Sequence, residues 1–568
     1  MPLELEGLLL GYYPIRVSVE LRSTRQPGRL SPRDSGRWSP VTDAAAVCGE
    51  NSAVTPESLA RAVGDFLAAA SDAVIVEDGA VVFDLSRSKY SISGERNKCL
   101  LHVWSDERNV VRRVVEAEIK SERLVLAVQR LGQARPTKLE ICRERDRRTP
   151  TAKRAARLAY QRALQRVLQR KFPAGKAAPL SSSMDLEHSF GPIYARGLLR
   201  LGQSGFAVLG VNGEETQASI DAALTFGILW LDCSRQCQAG KLLIEGLKLF
   251  VPAGTSRLTR ERMAHLNTQA AKWQLYELDE REDCLKEVDI SDRGNVDTRL
   301  VHCPDETAAR ERFDICIAQV QALMAECEIA VLSPAEIAFR CHGLEFARAR
   351  LAHEPGSLRS TGEIVFGLGR EETVLSEANA ARFQQLVRSI GEVRHADGPR
   401  DHPLWRLHSE RWLESLAVRN LALVDERLDY GCLYSQVPAF SASDRAMIDV
   451  LTVTREGRLA VVELKADEDI HLPLQGLDYW SRVGWHQARG EFQKFGYFPQ
   501  RVLSENKPLL FLVAPALHLH PATDTVLRYI SSEVEWTLAA IDERWREGVR
   551  VVFRKRPERK PSPVGDAA

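Results

Sequence analysis

The stretch LAVVELKADEDIHLPLQGLDYW, Leu459 to Trp480, decides how the C-terminal third of the chain is read. Its first half has the apolar, β-branched character of a strand, yet it carries Glu463 and Lys465 with one leucine between them. Alternate residues of a strand share a face, so the two charges lie together, roughly 6–7 Å apart, while Val462 and Leu464 point the other way. A carboxylate and an ammonium inside a sheet cost free energy unless they are paired or hold something. A solvent-facing edge strand with an ordinary Glu and Lys is the alternative, and the flanking sequence separates the two.

Upstream, AMIDVLTVT forms a strand carrying Asp449, and Glu456-Gly457 turns the chain into the Glu463 strand. Two antiparallel strands joined by a tight turn bring Asp449 beside Glu463 and Lys465. Before them, DYGCLYSQVPAF reads as a strand closed by Pro438, and RWLESLAVRNLALV has helical periodicity. That helix carries Glu414, with Glu410 on the same face one turn earlier. Downstream, a helix starting near Leu474 places Gln475 and Tyr479 on one face, four residues apart. A hard divalent cation takes oxygen ligands, which Asp449, Glu463 and a strand carbonyl supply. Lys465 beside them can orient a nucleophile and balance charge in a transition state. In outline this is a site for phosphodiester hydrolysis.

With WLESLAVRNLALVDERL, SQVPAF, SDRAMIDVL, GRLAVVELKADE, LQGLDYW and LLFLVAPAL in this order, residues 400–556 resemble the PD-(D/E)xK (restriction-endonuclease-like) nuclease superfamily. Within it they are most similar to the NucS/EndoMS type of DNA endonuclease. The resemblance implies an active site of Glu414, Asp449, Glu463, Lys465 and Gln475, with Glu414 joining Asp449 and Glu463 as ligands of Mg²⁺ or Mn²⁺. Gln475 and Tyr479 also resemble the Q-x3-Y element of RecB-type nuclease domains. It further implies DNA as partner, a homodimer, and a mixed-sheet fold completed by PLLFLVAPAL, VEWTLAAID and VRVVFR. The expected function is metal-dependent hydrolysis of DNA in repair or defence. The alternative is a non-catalytic or partner-gated DNA-binding protein that retains the fold.

The first 400 residues carry no such resemblance and are read from composition and pattern. A chain of 568 residues exceeds one core and divides into about three or four domains. Residues 1–142 read as a β-rich domain with one helix at TPESLARAVGDFLAAA and an irregular excursion at RQPGRLSPRDSGRWSPVTD. Residues 143–184 form a basic helix and linker, on which Arg162, Arg166 and Arg170 make a row suited to phosphates. A solvated polar face on a packed helix accounts for that row equally well. Residues 185–305 read as α/β, with strands at FAVLGV, GILWLD and KLLIEGLKLFVP, and 306–400 as a mainly helical connector with one strand near GEIVFGLG. The fold class is thus multidomain α+β and α/β, ending in a disordered basic tail at 557–568. Glu245 and Lys248, after Ile220-Asp221, faintly echo the Glu463–Lys465 pair, but their spacing puts them on opposite faces of a strand, so a second active site is not expected and the echo reads as either coincidence or a degraded structural copy.

The 77 basic and 77 acidic residues cancel, so nucleic-acid or membrane binding has to rest on local patches. No apolar run reaches bilayer length, and the N-terminus is acidic where a signal peptide is positive, so a cytoplasmic protein is expected. Eleven cysteines, an odd number, suit reduced thiols, and Cys233 and Cys237 have no second pair to make a zinc knuckle. Arg445 is placed to touch a phosphate or to lie free on a loop. The acidic run Asp467–Asp469 reads as a solvated loop, and His471, His486, His518 and His520 match no metal-ligand spacing. Trp480 and Trp485 read as packing residues.

Overall fold

The computed structural model describes residues 55–557 apart from short stretches, the longest being 130–135, 143–149, 354–359 and 441–446. Two compact units divide the chain, one within 17–155 and one containing everything from Ala156 onward. The opening stretch GLLLGYYPIRVSVELRS at 7–23, whose alternation belongs to the β-rich reading, the excursion at 25–43, Arg445 and the tail beyond 557 lie outside the described residues.

In the first unit, alternation does what it should. Cys99, Leu101 and Val103 on strand Lys98–Trp104, and Leu124, Leu126 and Val128 on strand Arg123–Gln129, all point inward. Seven antiparallel strands form one sheet, and helix Pro56–Ala68 lays Leu59, Val63, Phe66 and Leu67 against it. Among its described residues the region is β-rich, with the helix read from its sequence.

The second unit holds three sheets. The first is built from Lys176–Ala177, Tyr194–Leu201, Ser204–Val211, Leu243–Pro252, Lys272–Asp279 and Cys284–Val288. Helix Pro150–Lys171 covers one face with Tyr160, Leu164, Val167 and Leu168, leaving Arg162, Arg166 and Arg170 exposed. Helix Ala223–Cys237 covers the other. This corrects the strand read at GILWLD: a short apolar run cannot by itself distinguish a buried strand from a buried helix. Gly227 lets that helix lie directly on Leu247 and Leu249, since a Cβ there would stand 2.8 Å from Leu247 Cδ2.

Residues 306–400 are also corrected, because they are built on a five-stranded antiparallel sheet. Its strands are Glu328–Ser333, Glu336–Cys341, Leu344–His353, Ser360–Phe366 and Thr373–Val374, packed by helices Glu306–Arg312, Asp314–Gln321 and Ala380–Val393. Arg, Glu and Ala are good helix formers, which disguises the alternation in LEFARARLAH. Tertiary pairing overrides that preference: Arg350 Nε reaches Glu363 Oε1 across the strands at 2.7 Å, and Arg348 binds Glu345 and Glu336. The overlooked signal is His342-Gly343, a two-residue hairpin loop with φ of +44° and +71°, as a type I′ turn requires. A Cβ on Gly343 would stand 2.1 Å from the Arg411 carbonyl oxygen, in helix Ser409–Arg419. Gly343→Ala is therefore expected to cost at least about 2 kcal/mol, read as a lowered midpoint in denaturant unfolding; an unchanged midpoint would mean the turn and helix separate freely.

The third sheet contains the quoted stretch. Its order is Arg299–Leu300, Leu428–Phe440, Met447–Thr454, Leu459–Leu464, Leu509–Pro515, Glu535–Ile541 and Val551–Lys555. The Glu463 strand is central and buried at all six positions, not an edge. It pairs antiparallel with the Asp449 strand and parallel with Leu509–Pro515, the crossover being helix Leu472–Ala488. Helix Ser409–Arg419 packs on the opposite face through Trp412, Leu413 and Ala417. Among the described residues no helix is long and apolar enough to cross a membrane.

Candidate active site

Pairing of Val450 with Val462 sets Asp449 opposite Glu463 one step further along. The Asp449 carboxylate is anchored by the strand itself, its Oδ2 accepting from the Leu464 backbone N–H at 2.9 Å. Glu463 is 1% exposed; its Oε1 lies 3.4 Å from Lys465 Nζ, and its Oε2 is buried with no hydrogen-bond partner. A carboxylate oxygen sealed in this way is costly, so the arrangement stores free energy at one point.

Electrostatics follow from that burial. Desolvation pushes the Glu463 carboxyl well above its usual range, and Asp449 beside it adds to the shift while Lys465 opposes it. Asp449 is likewise raised by burial, against the Leu464 N–H, Lys465, Arg411 and a side-chain hydrogen bond with Glu463. Burial pulls the Lys465 ammonium down, but Glu463, Glu410, Asp449 and Asp469 outweigh it and hold the group above its ordinary value. Lys465 is thus kept charged by a ring of carboxyls, with Glu410 Oε1 3.5 Å from its Nζ.

Helix Ser409–Arg419 contributes differently from what the resemblance implies. Glu414 is buried and directs its carboxyl to Ser435, to Gln436 Nε2 at 2.5 Å and to Arg411 Nη1 at 3.2 Å. Burial raises it to about 7, against Arg411 and Ser435. Among the described residues no three His, Cys, Asp or Glu side chains converge in a metal-holding group. The expected three-carboxylate set of Glu414, Asp449 and Glu463 is therefore not assembled, because Glu414 is engaged by its own neighbours. It connects to the centre through Gln436, whose Nε2 also stands 3.3 Å from Asp449 Oδ1.

Gln436 is the residue that sequence reading missed. It sits inside SQVPAF, bridges two carboxyls, leaves its own Oε1 buried without a partner, and adopts φ of +56°. A left-handed non-glycine residue in a strand is a local strain of the kind found at functional positions. The signal lay only in its place two residues before Pro438. Glu410, passed over for Glu414, is the helix carboxyl that faces Lys465.

Helix Leu472–Ala488 brings Gln475 and Tyr479 together, with Gln475 Nε2 3.4 Å from the Tyr479 hydroxyl. Tyr479 is buried, and its phenol is raised first by desolvation and then by the charges of Glu463 and Asp449. Asp467 and Glu468 are exposed, as a solvated loop requires. The four histidines serve locally: His486 with Glu491 and Thr298, His471 with Thr225, His518 with the Ala466 carbonyl, and His520 with the Ala522 N–H. Trp480 is packed, its indole N–H bound to the Pro508 carbonyl at 2.7 Å.

Two neighbouring carboxyls, one with a buried oxygen that has no hydrogen-bond partner, beside a fixed ammonium are oxygen donors of the kind a hard divalent cation could use. Comparison with family models, with curated proteins and with solved structures finds no match for this chain.

Proposed function

We propose that this chain is a metal-dependent deoxyribonuclease of the PD-(D/E)xK type, hydrolysing DNA phosphodiester bonds with Mg²⁺ or Mn²⁺. The observation that carries this reading is the buried, unpartnered Oε2 of Glu463, with Asp449 across the ladder and Lys465 two residues on. A fold without a ligand gains nothing from that arrangement, which costs stability on its own.

Asp449, Glu463 and a strand carbonyl would hold the ion. When bound, it supplies charge to a phosphoryl oxygen and acidity to a water. Lys465 Nζ, held protonated by its carboxyl neighbours, donates hydrogen bonds to the attacking water or a phosphate oxygen and offsets charge that develops there. Glu410, in contact with Lys465, orients that ammonium. Gln436 keeps Asp449 and Glu414 in fixed relation, and Tyr479 with Gln475 closes the helix side of the site.

The test is incubation of labelled single-stranded, duplex, branched and mismatched DNA with Mg²⁺, Mn²⁺ or a chelator. Cleavage of at least one substrate with metal and none with chelator is the expected result. A well-folded protein that cuts none of them would instead favour a binding or partner-gated role.

The exposed arginines of helix Pro150–Lys171 support DNA as the substrate. Arg162→Glu with Arg166→Glu is expected to weaken duplex binding and to reduce the slope of log affinity against log salt by about 2. Fluorescence anisotropy over a salt series measures this, and an unaltered slope would remove the helix from the interface.

A further inference from the structure

The sheet of 176–288 and the sheet of 428–555 have the same plan. In the first, Tyr194–Leu201 runs antiparallel to Ser204–Val211, helix Ala223–Cys237 crosses to the parallel strand Leu243–Pro252, helix Arg257–Met263 leads to the parallel strand Lys272–Asp279, and Cys284–Val288 closes antiparallel. In the second, the same sequence of steps runs through Met447–Thr454, Leu459–Leu464, Leu472–Ala488, Leu509–Pro515, Thr523–Arg528, Glu535–Ile541 and Val551–Lys555.

Register matches as well as order. Gly246 pairs with Lys272 and Leu509 with Glu535, the same 26-residue stagger. Each crossover helix touches its sheet through a glycine: Gly227 lies on Leu247 and Leu249, and Gly476 on Leu510 and Leu512. Aligning those leucines brings Pro252 onto Pro515, Trp273 onto Trp536, Leu275 onto Leu538 and Asp279 onto Asp542. Ladder pairing then carries the equivalence to the candidate site. Ala207 pairs with Leu247 as Val461 does with Leu510, so Leu209 stands where the other module has Glu463, and Val211 where it has Lys465. Opposite Leu209 is Arg196, at the place of Asp449. Arg196 is buried, donates to the Gly191 carbonyl at 3.0 Å and the Ser183 carbonyl, and lies over the Phe190 ring. Every acidic position of the pair is gone.

The two modules meet as the halves of a symmetric dimer meet. Leu266 and Ile530, each just after the second helix of its module, form an antiparallel bridge, with Asn267 N–H to the Tyr529 carbonyl at 2.8 Å and Ser531 N–H to the His265 carbonyl at 2.9 Å. Arg262 binds Asp478 at 2.7 Å, and reciprocally Arg528 binds Asp232 at 3.2 Å. In both pairs the arginine lies on or at the end of the short helix of one module and the aspartate on the crossover helix of the other. The paired residues do not coincide in the alignment, but contacts of the same kind, arginine of a short helix to aspartate of a crossover helix, run in both directions, as they do across a two-fold interface. One continuous apolar core runs through it from Leu249 and Ile228 to Leu512 and Trp480.

We infer that residues 176–288 are a second copy of the catalytic module, without its carboxyls and lysine, occupying inside one chain the place of a dimer partner. The working particle is a single chain with one active centre, and it cuts one strand of a duplex per encounter. The strand-cutting consequence rests on the nuclease reading; the occupancy of the dimer face does not.

Two measurements test it on the full chain. Sedimentation equilibrium at micromolar concentration is expected to give the mass of one chain, and a stable two-chain particle would overturn the inference. Supercoiled plasmid with Mn²⁺ is expected to give nicked circles as the only early product, with linear DNA arising later from them; linear DNA formed directly alongside nicked circles would overturn it. Absence of cutting with a one-chain mass would count against the nuclease reading while upholding the built-in partner. Arg262→Asp is expected to make the chain self-associate through the opened face, and Arg262→Asp with Asp478→Arg to restore the single-chain mass. An unchanged one-chain mass for Arg262→Asp, measured on protein with a cooperative unfolding transition, would show that the face is not held as inferred.

Discussion

Lys465→Met is expected to lower the single-turnover rate of DNA cleavage by about 10²–10⁴-fold while leaving stabilisation by Mn²⁺ in place. Methionine keeps the aliphatic stem that fills the site and removes only the ammonium, now 3.4 Å from Glu463 and 3.5 Å from Glu410. The ligand carboxyls remain, so an ion still binds; the hydrogen-bond donor and the compensating charge at the reacting phosphate are lost. Lys465→Arg serves as the companion variant. It restores charge but replaces a compact donor with a planar fork, and recovers little of the rate. A Lys465→Met enzyme within a few-fold of the wild type would make the lysine a structural counter-ion only.

The second large effect runs in the opposite direction, on stability. Glu463→Gln is expected to abolish cleavage and to stabilise the metal-free protein at neutral pH, because an amide avoids both the desolvation of a carboxylate and its repulsion from Asp449, while Glu410 and Asp449 remain beside the Lys465 ammonium. The sign can be followed with pH. Folding raises this carboxyl above its ordinary 4.5, so its contribution is full below that value and is lost as the pH rises toward the folded-state value. The advantage of the glutamine variant should therefore be small in acid and grow toward neutrality. Thermal unfolding across pH, without and with Mn²⁺, reads all of this: the wild type gains from the ion and the variant does not. A variant less stable than the wild type at neutral pH would show that Glu463 is satisfied where it stands.

Much of the site could be read from the sequence because it depends on short-range periodicity. One intervening leucine fixes Glu463 and Lys465 on one face, a tight turn at Glu456-Gly457 sets Asp449 across from them, and a four-residue interval joins Gln475 to Tyr479. The exposed row of Arg162, Arg166 and Arg170 follows from the same arithmetic. What could not be read depends on contacts distant in the chain. Nothing local says that Gln436 takes a left-handed backbone or reaches two carboxyls. Helix-forming arginines and glutamates concealed the sheet at 328–374, whose strands are joined by cross-strand ion pairs visible only once they are paired.

The internal copy is legible in the sequence only as one reading of a faint echo, because the residues that define the motif are the ones it lacks. Glu245 and Lys248 drew attention as an echo, yet they lie on the strand after the equivalent one. Glu245 binds Lys272 on one side, while Lys248 is buried on the other among Phe172, Phe206 and Tyr276, where desolvation lowers it to about 8. They play no part in the resemblance between modules, which is carried by glycine contacts, a tryptophan, a proline and ladder stagger.

The most direct measurement is cleavage of end-labelled DNA by the wild type and by Asp449→Asn, purified in parallel and matched for unfolding midpoint, in Mg²⁺ and in chelator. Asp449 accepts from the Leu464 N–H and faces Glu463, so the amide leaves the strand geometry intact and removes one ligand charge. Cutting by the wild type in Mg²⁺ alone, with none by Asp449→Asn in either condition, is the expected result. Equal cutting by both proteins, or cutting that persists in chelator, would contradict a metal-dependent centre at Asp449, Glu463 and Lys465.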